Sequence, residues 1–142
     1  MSIVVRHFHP LDVLRMKPSH FGQPDCCLTL EDGRRLFDLG GAISVLDNGR
    51  ILLIGGIVNI WPGRSEVWSV LGIGSEKQML SLTRVARKTL NLSFVKRLES
   101  YCLSGFSQGE RWLKILGFQH EATLRKYYPN GSDAELYVRI GE

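Results

Sequence analysis

Residues Glu66–Ser75 read EVWSVLGIGS, and this stretch decides how the rest of the chain is parsed. A β-rich run stops abruptly at Gly72-Ile73-Gly74. A helical pattern follows over Glu76–Leu92, with Met79, Leu82, Val85/Ala86 and Leu90 on one face and Lys and Arg on the other. Strand, glycine turn and helix together are one way to build an anion cradle; the alternative is a turn whose glycines only serve the bend. The amides of the turn and of the first helical residues lack intrahelical partners and sit at the positive end of the helix dipole. Gly72 and Gly74 are expected to supply positive φ and to let a ligand approach the backbone.

Upstream, Gly41–Leu46 and Arg50–Ile60 flank Asp47-Asn48-Gly49, the strongest hairpin signal in the chain, with Asn-Gly suited to a type I′ turn. Pro62-Gly63 turns the chain into Arg64–Leu71, so three antiparallel strands precede the glycine loop. Gly55-Gly56 within the second of them predicts a bulge or a close backbone approach. Further upstream, Ile3–Phe8 reads as a strand, Leu11–Met16 as a short helix stopped by Pro18, and Leu30–Leu39 as a helix capped by Thr29 and closed by Gly40. Downstream come a strand over Arg97–Leu103 and a helix over Gly105–Leu116 ended by Gly117. A last hairpin joins Phe118–Tyr127 to Ala134–Ile140. The expected order is β-α-α-β-β-β-α-β-α-β-β, an α/β (α+β) mixed sheet with helices on both faces in a single domain spanning 1–142.

Composition narrows the classes. The 142 residues are 44% hydrophobic and 23% charged, ordinary for one globular domain with a real core. No apolar run approaches membrane-spanning length, and MSIVVRHF reads as a strand rather than a signal peptide, so no membrane partner is expected, while the three cysteines fit a reducing cytoplasm. A net charge of +4 suits a polyanionic ligand, but Lys and Arg are scattered among acids. Without a basic stripe or interleaved aromatics, nucleic-acid binding is not expected.

Cys26, Cys27 and Cys102 lack metal-ligand or disulfide spacing and read as small apolar filler or free thiols. His7 and His9 share a face but have no third ligand, and no metal is expected. His120 and Glu121, adjacent on a strand, face opposite sides. Trp61, Trp68 and Trp112 read as core and cleft packing. Arg84, Arg87, Lys88, Lys96 and Arg97 are either a phosphate-contacting cluster or a solvated face.

The element order, and above all Gly109–Tyr128 (GERWLKILGFQHEATLRKYY) with its following Asn-Gly turn and Glu135-Leu136-Tyr137, resembles the GCN5-related N-acetyltransferase (GNAT) superfamily over essentially the whole chain. Chain size, the Trp68 strand and the RWLKILG helix also resemble a narrower group, the small acetyltransferase-like proteins of short-tailed bacteriophages. The resemblance implies that strands four and five, Arg64–Leu71 and Arg97–Leu103, splay apart to admit the pantetheine arm of acetyl-CoA. It implies a pyrophosphate loop at Ser69-Val70-Leu71-Gly72-Ile73-Gly74, continuing into Ser75, where Ser69 replaces the Gln or Arg that usually leads the motif.

It further implies a general base on strand four, for which Glu66 is the candidate. Leu113 falls where a thiolate-protonating Tyr is often found, leaving Tyr101 as a substitute acid. Phe106 falls where an Asn often starts the helix, with Ser107 and Gln108 as substitute hydrogen-bonding residues. Two functions are thus expected: an N-acetyltransferase that moves the acetyl group of acetyl-CoA to an amine, or a GNAT-fold binding or assembly protein without turnover, engaging a virion or host protein. Glu66, Gly72 and Gly74 favour the first; Ser69 and Leu113 favour the second.

Overall fold

A computed structural model describes residues 3–16, 29–92 and 95–141. The elements are β1 (Ile3–His7), α1 (Asp12–Arg15), α2 (Leu30–Leu39), β2 (Ala42–Asp47), β3 (Arg50–Trp61), β4 (Arg64–Leu71), a 3-10 turn (Ser75–Gln78), α3 (Met79–Asn91), β5 (Arg97–Leu103), α4 (Ser107–Ile115), β6 (Gln119–Leu124) and β7 (Ala134–Ile140). Cys26, Cys27 and Pro18 lie outside the described residues.

All seven strands form one mixed sheet in the order β1-β2-β3-β4-β5-β7-β6. Every neighbouring pair is antiparallel except β4 and β5, which run parallel. The β2–β3 turn has the expected chemistry: Asn48 (φ 50°) and Gly49 (φ 78°) both take positive φ, matching the twist of the flanking strands. Thr29 caps α2 in a reciprocal box, its hydroxyl accepting from the Asp32 N–H while the Asp32 carboxylate accepts from the Thr29 N–H.

Strand alternation divides the core between the two faces of the sheet. On one face α1 and α2 cover Ala42, Ile51 and Ile54, with Phe8, Val13, Met16 and Trp68 in the same cluster. On the other, α3 and α4 cover Val45, Leu52, Leu53, Leu98 and Tyr137 through Leu82, Leu90, Leu113 and Leu116. Buried Cys102 belongs to this second core, where burial pushes its thiol up to about 11 and keeps it protonated filler.

Several expectations need correction. The helix expected over Glu76–Leu92 is broken, because Gln78 (φ −118°, ψ 16°) leaves helical geometry and separates the 3-10 turn from α3. Gly55-Gly56 forms no bulge; the register shifts fall between Val45 and Leu46 and between Asn59 and Trp61. The glycines serve close approach instead, since a Cβ on Gly55 would lie 2.9 Å from the Trp68 carbonyl oxygen. β6 stops at Leu124, short of Tyr127: Lys126 takes φ 52° and its N–H is drawn to Asp133 Oδ1 at 2.8 Å. Helix α4 starts at Ser107, two residues after the expected Gly105.

Candidate functional site

The sheet is two ribbons that barely touch. β4 and β5 pair only at Arg64–Arg97, Ser65–Leu98 and Glu66–Glu99. Beyond that point β4 continues with β3 to Leu71 and β5 continues with β7 to Leu103, each held from its outer side. The facing edges therefore diverge past Glu66, and backbone groups along Val67–Leu71 have no strand partner on the β5 side. An edge of this kind can receive an extended amide-bearing chain by strand-like hydrogen bonding.

On the α3/α4 face the splay opens into a cleft of about 640 Å³, counting space open to solvent. Val67 and Ser69 of β4, Ser100 of β5, and Trp112, Leu113 and Leu116 of α4 line it. Strand alternation puts Ser69 and Ser100 on this face. Val70 of the same expected motif packs into the opposite core, and Leu71 packs with Leu52 and Leu53.

At the end of β4 the two glycines are required for different reasons, and only one as expected. Gly72 does not take positive φ. Its N–H donates to the Leu52 carbonyl at 2.8 Å, and a Cβ would lie 2.6 Å from the Ile51 carbonyl oxygen, so backbone proximity excludes a side chain. Gly74 does take positive φ, at 93°. The Ser75 N–H is spent on the Gly72 carbonyl at 3.2 Å. Among the described residues the amides of Ile73 and Gly74 have no backbone partner, so the cradle is smaller than the sequence suggested. Arg50 approaches this loop, with Nη1 2.9 Å from the position of a Gly74 Cβ. Nothing in the sequence pattern flagged Arg50, because it is brought here by the β2–β3 hairpin from 24 positions upstream.

On the opposite face, at the same level, lies a titratable cluster. Glu66 and Glu99 stand side by side in the β4–β5 register. Glu99 is buried and doubly paired, accepting from Arg64 Nε at 2.9 Å and from Arg97 Nε at 2.6 Å. Burial pushes the Glu99 carboxyl up, but the two guanidiniums outweigh it and hold it below its ordinary value. Arg97 also forks onto Glu121, with a 3.0 Å bond from Nη1 to Oε1. Half-buried Glu66 has, among the described residues, no hydrogen bond or ion pair. Burial raises its pKa, the neighbouring Glu99 charge raises it further, and Arg64 only partly offsets them.

An aromatic wall closes this side. Tyr101 stacks on Tyr127 with centroids 5.1 Å apart, and Tyr128 meets Tyr127 edge-on at 5.2 Å. Burial raises the Tyr101 phenol above its ordinary value and the charges of Glu99 and Glu66 add to the shift, while the Tyr128 phenol is pushed up to about 12, chiefly by burial. Tyr127 and Tyr128 were not singled out in the sequence; the loop between β6 and β7 carries them to a site more than 25 residues away along the chain.

The remaining candidates separate. Ser107 and Gln108 are exposed on the first turn of α4, and neither lines the cleft nor caps the helix. The expected basic cluster disperses: Arg97 is committed to the Glu99–Glu121 pair, and Arg87 donates to the Ile115 carbonyl at 3.2 Å. Trp61 is exposed rather than core, with the Arg64 guanidinium 4.3 Å above its ring, whereas Trp68 and Trp112 do pack at the cleft. His120 turns from Glu121 to Glu135, 2.7 Å away on the other face. His7 and His9 are exposed.

No protein-family model and no curated protein matches the chain. Solved structures do. A GNAT-family acetyltransferase from Bacillus anthracis superposes with a TM-score of 0.72 at 16% identity, covering 99% of this chain and 95% of that one. A ribosomal-protein-S5-alanine acetyltransferase from Vibrio fischeri gives 0.73 at 20% identity, with coverage of 100% and 94%. The fold is that of the GNAT acetyltransferases. A GNAT-family acetyltransferase from Streptococcus pneumoniae agrees, at 0.71 and 16% identity over 99% and 100% of the two chains. In GNAT terms, β4 and β5 are the strands that part. Among the described residues, no helix is long and apolar enough to cross a membrane.

Proposed function

We propose that the chain is an N-acetyltransferase of the cytoplasm, transferring the acetyl group of acetyl-CoA to an amine. The observation that carries this reading is the β4–β5 splay, which opens just beyond the half-buried Glu66. The pantetheine amides run along the free edge of β4, and the pyrophosphate lies against the Ile73 and Gly74 amides. Arg50 supplies the cation that Ser69 does not. The acceptor amine enters from the Tyr101–Tyr127 side.

Glu66 takes a proton from the bound ammonium, directly or through water. Its raised pKa makes it a better base than an exposed carboxylate. The amine nitrogen then attacks the thioester carbonyl carbon and releases its second proton to water, the C–S bond breaks, and the electron pair leaves on sulfur. The product is an amide and CoA. Tyr101 is the nearest phenol on the acceptor side, but its raised pKa holds the proton more tightly than a thiol with a pKa near ~8.5. Water therefore returns a proton to the thiolate, because Leu113 in the cleft wall offers no acid.

A second reading, a GNAT-fold binding or assembly protein such as bacteriophages carry, is favoured by that same Leu113 in the cleft wall. Thermal unfolding with CoA and acetyl-CoA separates the two. Ligand at ~100 times its Kd adds roughly 2.7 kcal/mol of stability and raises Tm by several degrees. No shift at millimolar CoA would leave the assembly reading.

A further inference from the structure

The cleft extends past the place where a thioester would sit. From the splay it runs beneath α3 as far as Ile43 and Val45 on β2, two strands away from β4. Its floor is Gly55, which lies opposite Ile43 on one side and Ser69 on the other. A Cβ at this position would lie 2.9 Å from the Trp68 carbonyl oxygen and 3.3 Å from Ser69 Cβ, so the close approach of β4 keeps the floor free of a side chain. Above it, α3 presents Val85 and the small Ala86.

The chemistry of the walls is one-sided. Among the described residues no charged side chain lines the cleft, and apart from its two indoles the polar side chains are Ser69, Ser100 and Thr89. Thr89 spends its hydroxyl on the Val85 carbonyl at 2.9 Å, and the Trp112 indole N–H is spent on Thr83 Oγ1 at 2.9 Å. A charged group beneath α3 would lose its water with only the Ser69 and Ser100 hydroxyls to replace it and no counter-charge, whereas methylene groups gain from being there. An acetyl group ends at the thioester and uses none of this extension.

We propose that the cleft between Gly55 and Ala86 holds the acyl chain of the donor, and that the preferred donors are straight saturated acyl-CoAs longer than acetyl, such as butyryl- or hexanoyl-CoA. The proposal rests on the β4–β5 cleft being the acyl-CoA site. The transfer is otherwise unchanged: the amine nitrogen bonds to the acyl carbon, the C–S bond breaks, and the amine proton leaves through Glu66.

The test is the affinity of the protein for CoA, acetyl-CoA, butyryl-CoA and hexanoyl-CoA. It can be read by calorimetry or by quenching of Trp68 and Trp112, which line the cleft. Each buried methylene is expected to tighten binding roughly fourfold, so butyryl-CoA should bind about 15-fold more tightly than acetyl-CoA. Ala86→Phe, which fills the extension, should bring the hexanoyl-to-acetyl affinity ratio close to one. If that variant fails to fold, Ala86→Leu should reduce the ratio in the same direction. Binding of CoA and acetyl-CoA with no gain on lengthening the chain overturns the proposal and leaves the acetyltransferase reading intact. A gain that survives both Ala86 variants overturns the placement beneath α3. Failure of every CoA species to bind overturns both readings.

Discussion

Asp12 is the polar group on which the α1/α2 side of the sheet is most dependent, and replacing it with Asn isolates one charge. Its side chain is 1% exposed. It accepts from Arg6 Nη1 at 2.7 Å and Nη2 at 2.9 Å, from the His9 N–H at 3.0 Å, and from Ser44 Oγ at 2.8 Å. These bonds tie β1, the turn into α1, and β2 to one carboxylate. Burial alone would raise its pKa, but the Arg6 bonds, the His9 amide and the Ser44 hydroxyl outweigh it and bring the pKa from 3.8 to about 2.

That depression corresponds to roughly 2 kcal/mol of folding stability. Arg6 is 35% exposed, so solvent screens part of its share and the lower side of that figure is expected. The folded pKa lies below the unfolded one. The contribution is therefore complete above pH 3.8 and is lost as pH falls through about 2. Asp12→Asn should lower Tm by about 5 °C at pH 7, at roughly 3 °C per kcal/mol for a chain of this size. The gap between wild type and variant should then narrow steadily below pH 4. Calorimetric or circular-dichroism melts at pH 7, 5, 3.5 and 2.5 measure it. A loss below 1 °C at pH 7, or a gap of constant size down to pH 2.5, would refute the reasoning.

Three further perturbations follow from the site. Glu66→Gln should lower kcat by roughly 100-fold or more and yet raise Tm at neutral pH. Burial and Glu99 hold the Glu66 pKa above its unfolded 4.5, so its charge costs stability once pH exceeds that value. The gain in Tm should be absent at pH 4, and an equal gain there would remove the electrostatic explanation. Glu99→Gln should destabilise the fold by leaving Arg64 and Arg97 unpaired, while moving the acid limb of the kcat/KM profile to lower pH by relieving Glu66 of its neighbour's charge; an unmoved limb would show that Glu66 is not the base. Gly72→Ala should cost about 1–3 kcal/mol by overpacking, because its Cβ would meet the Ile51 carbonyl oxygen at 2.6 Å and Met16 Cγ at 3.1 Å. Urea unfolding checks this, and a neutral result would mean that the loop yields freely.

The order of elements was legible because each one carries its own local signal. Asn48-Gly49 fixes a hairpin wherever it lies, Thr29 and Asp32 cap a helix with each other, and period-2 and period-3.6 patterns need no distant partner. The failures also have local causes. Gln78 breaks a pattern whose apolar spacing reads straight through it, and Lys126 ends β6 because Asp133, seven residues on, captures its N–H.

Of the candidate site, the sequence by itself placed Glu66 on its strand and the two glycines at that strand's end; the structure added that Leu113 lies in the wall of the cleft. Tertiary structure alone decided that, among the described residues, Glu66 stands unpaired while Glu99 takes both arginines, that Tyr127 and Tyr128 join Tyr101, and that Arg50 reaches Gly74. It also decided that the cleft continues beneath α3 over Gly55. Periodicity says which way a side chain points. What that side chain meets depends on how strands distant in the sequence are placed beside one another, and here that placement follows from a single parallel contact three residue pairs long.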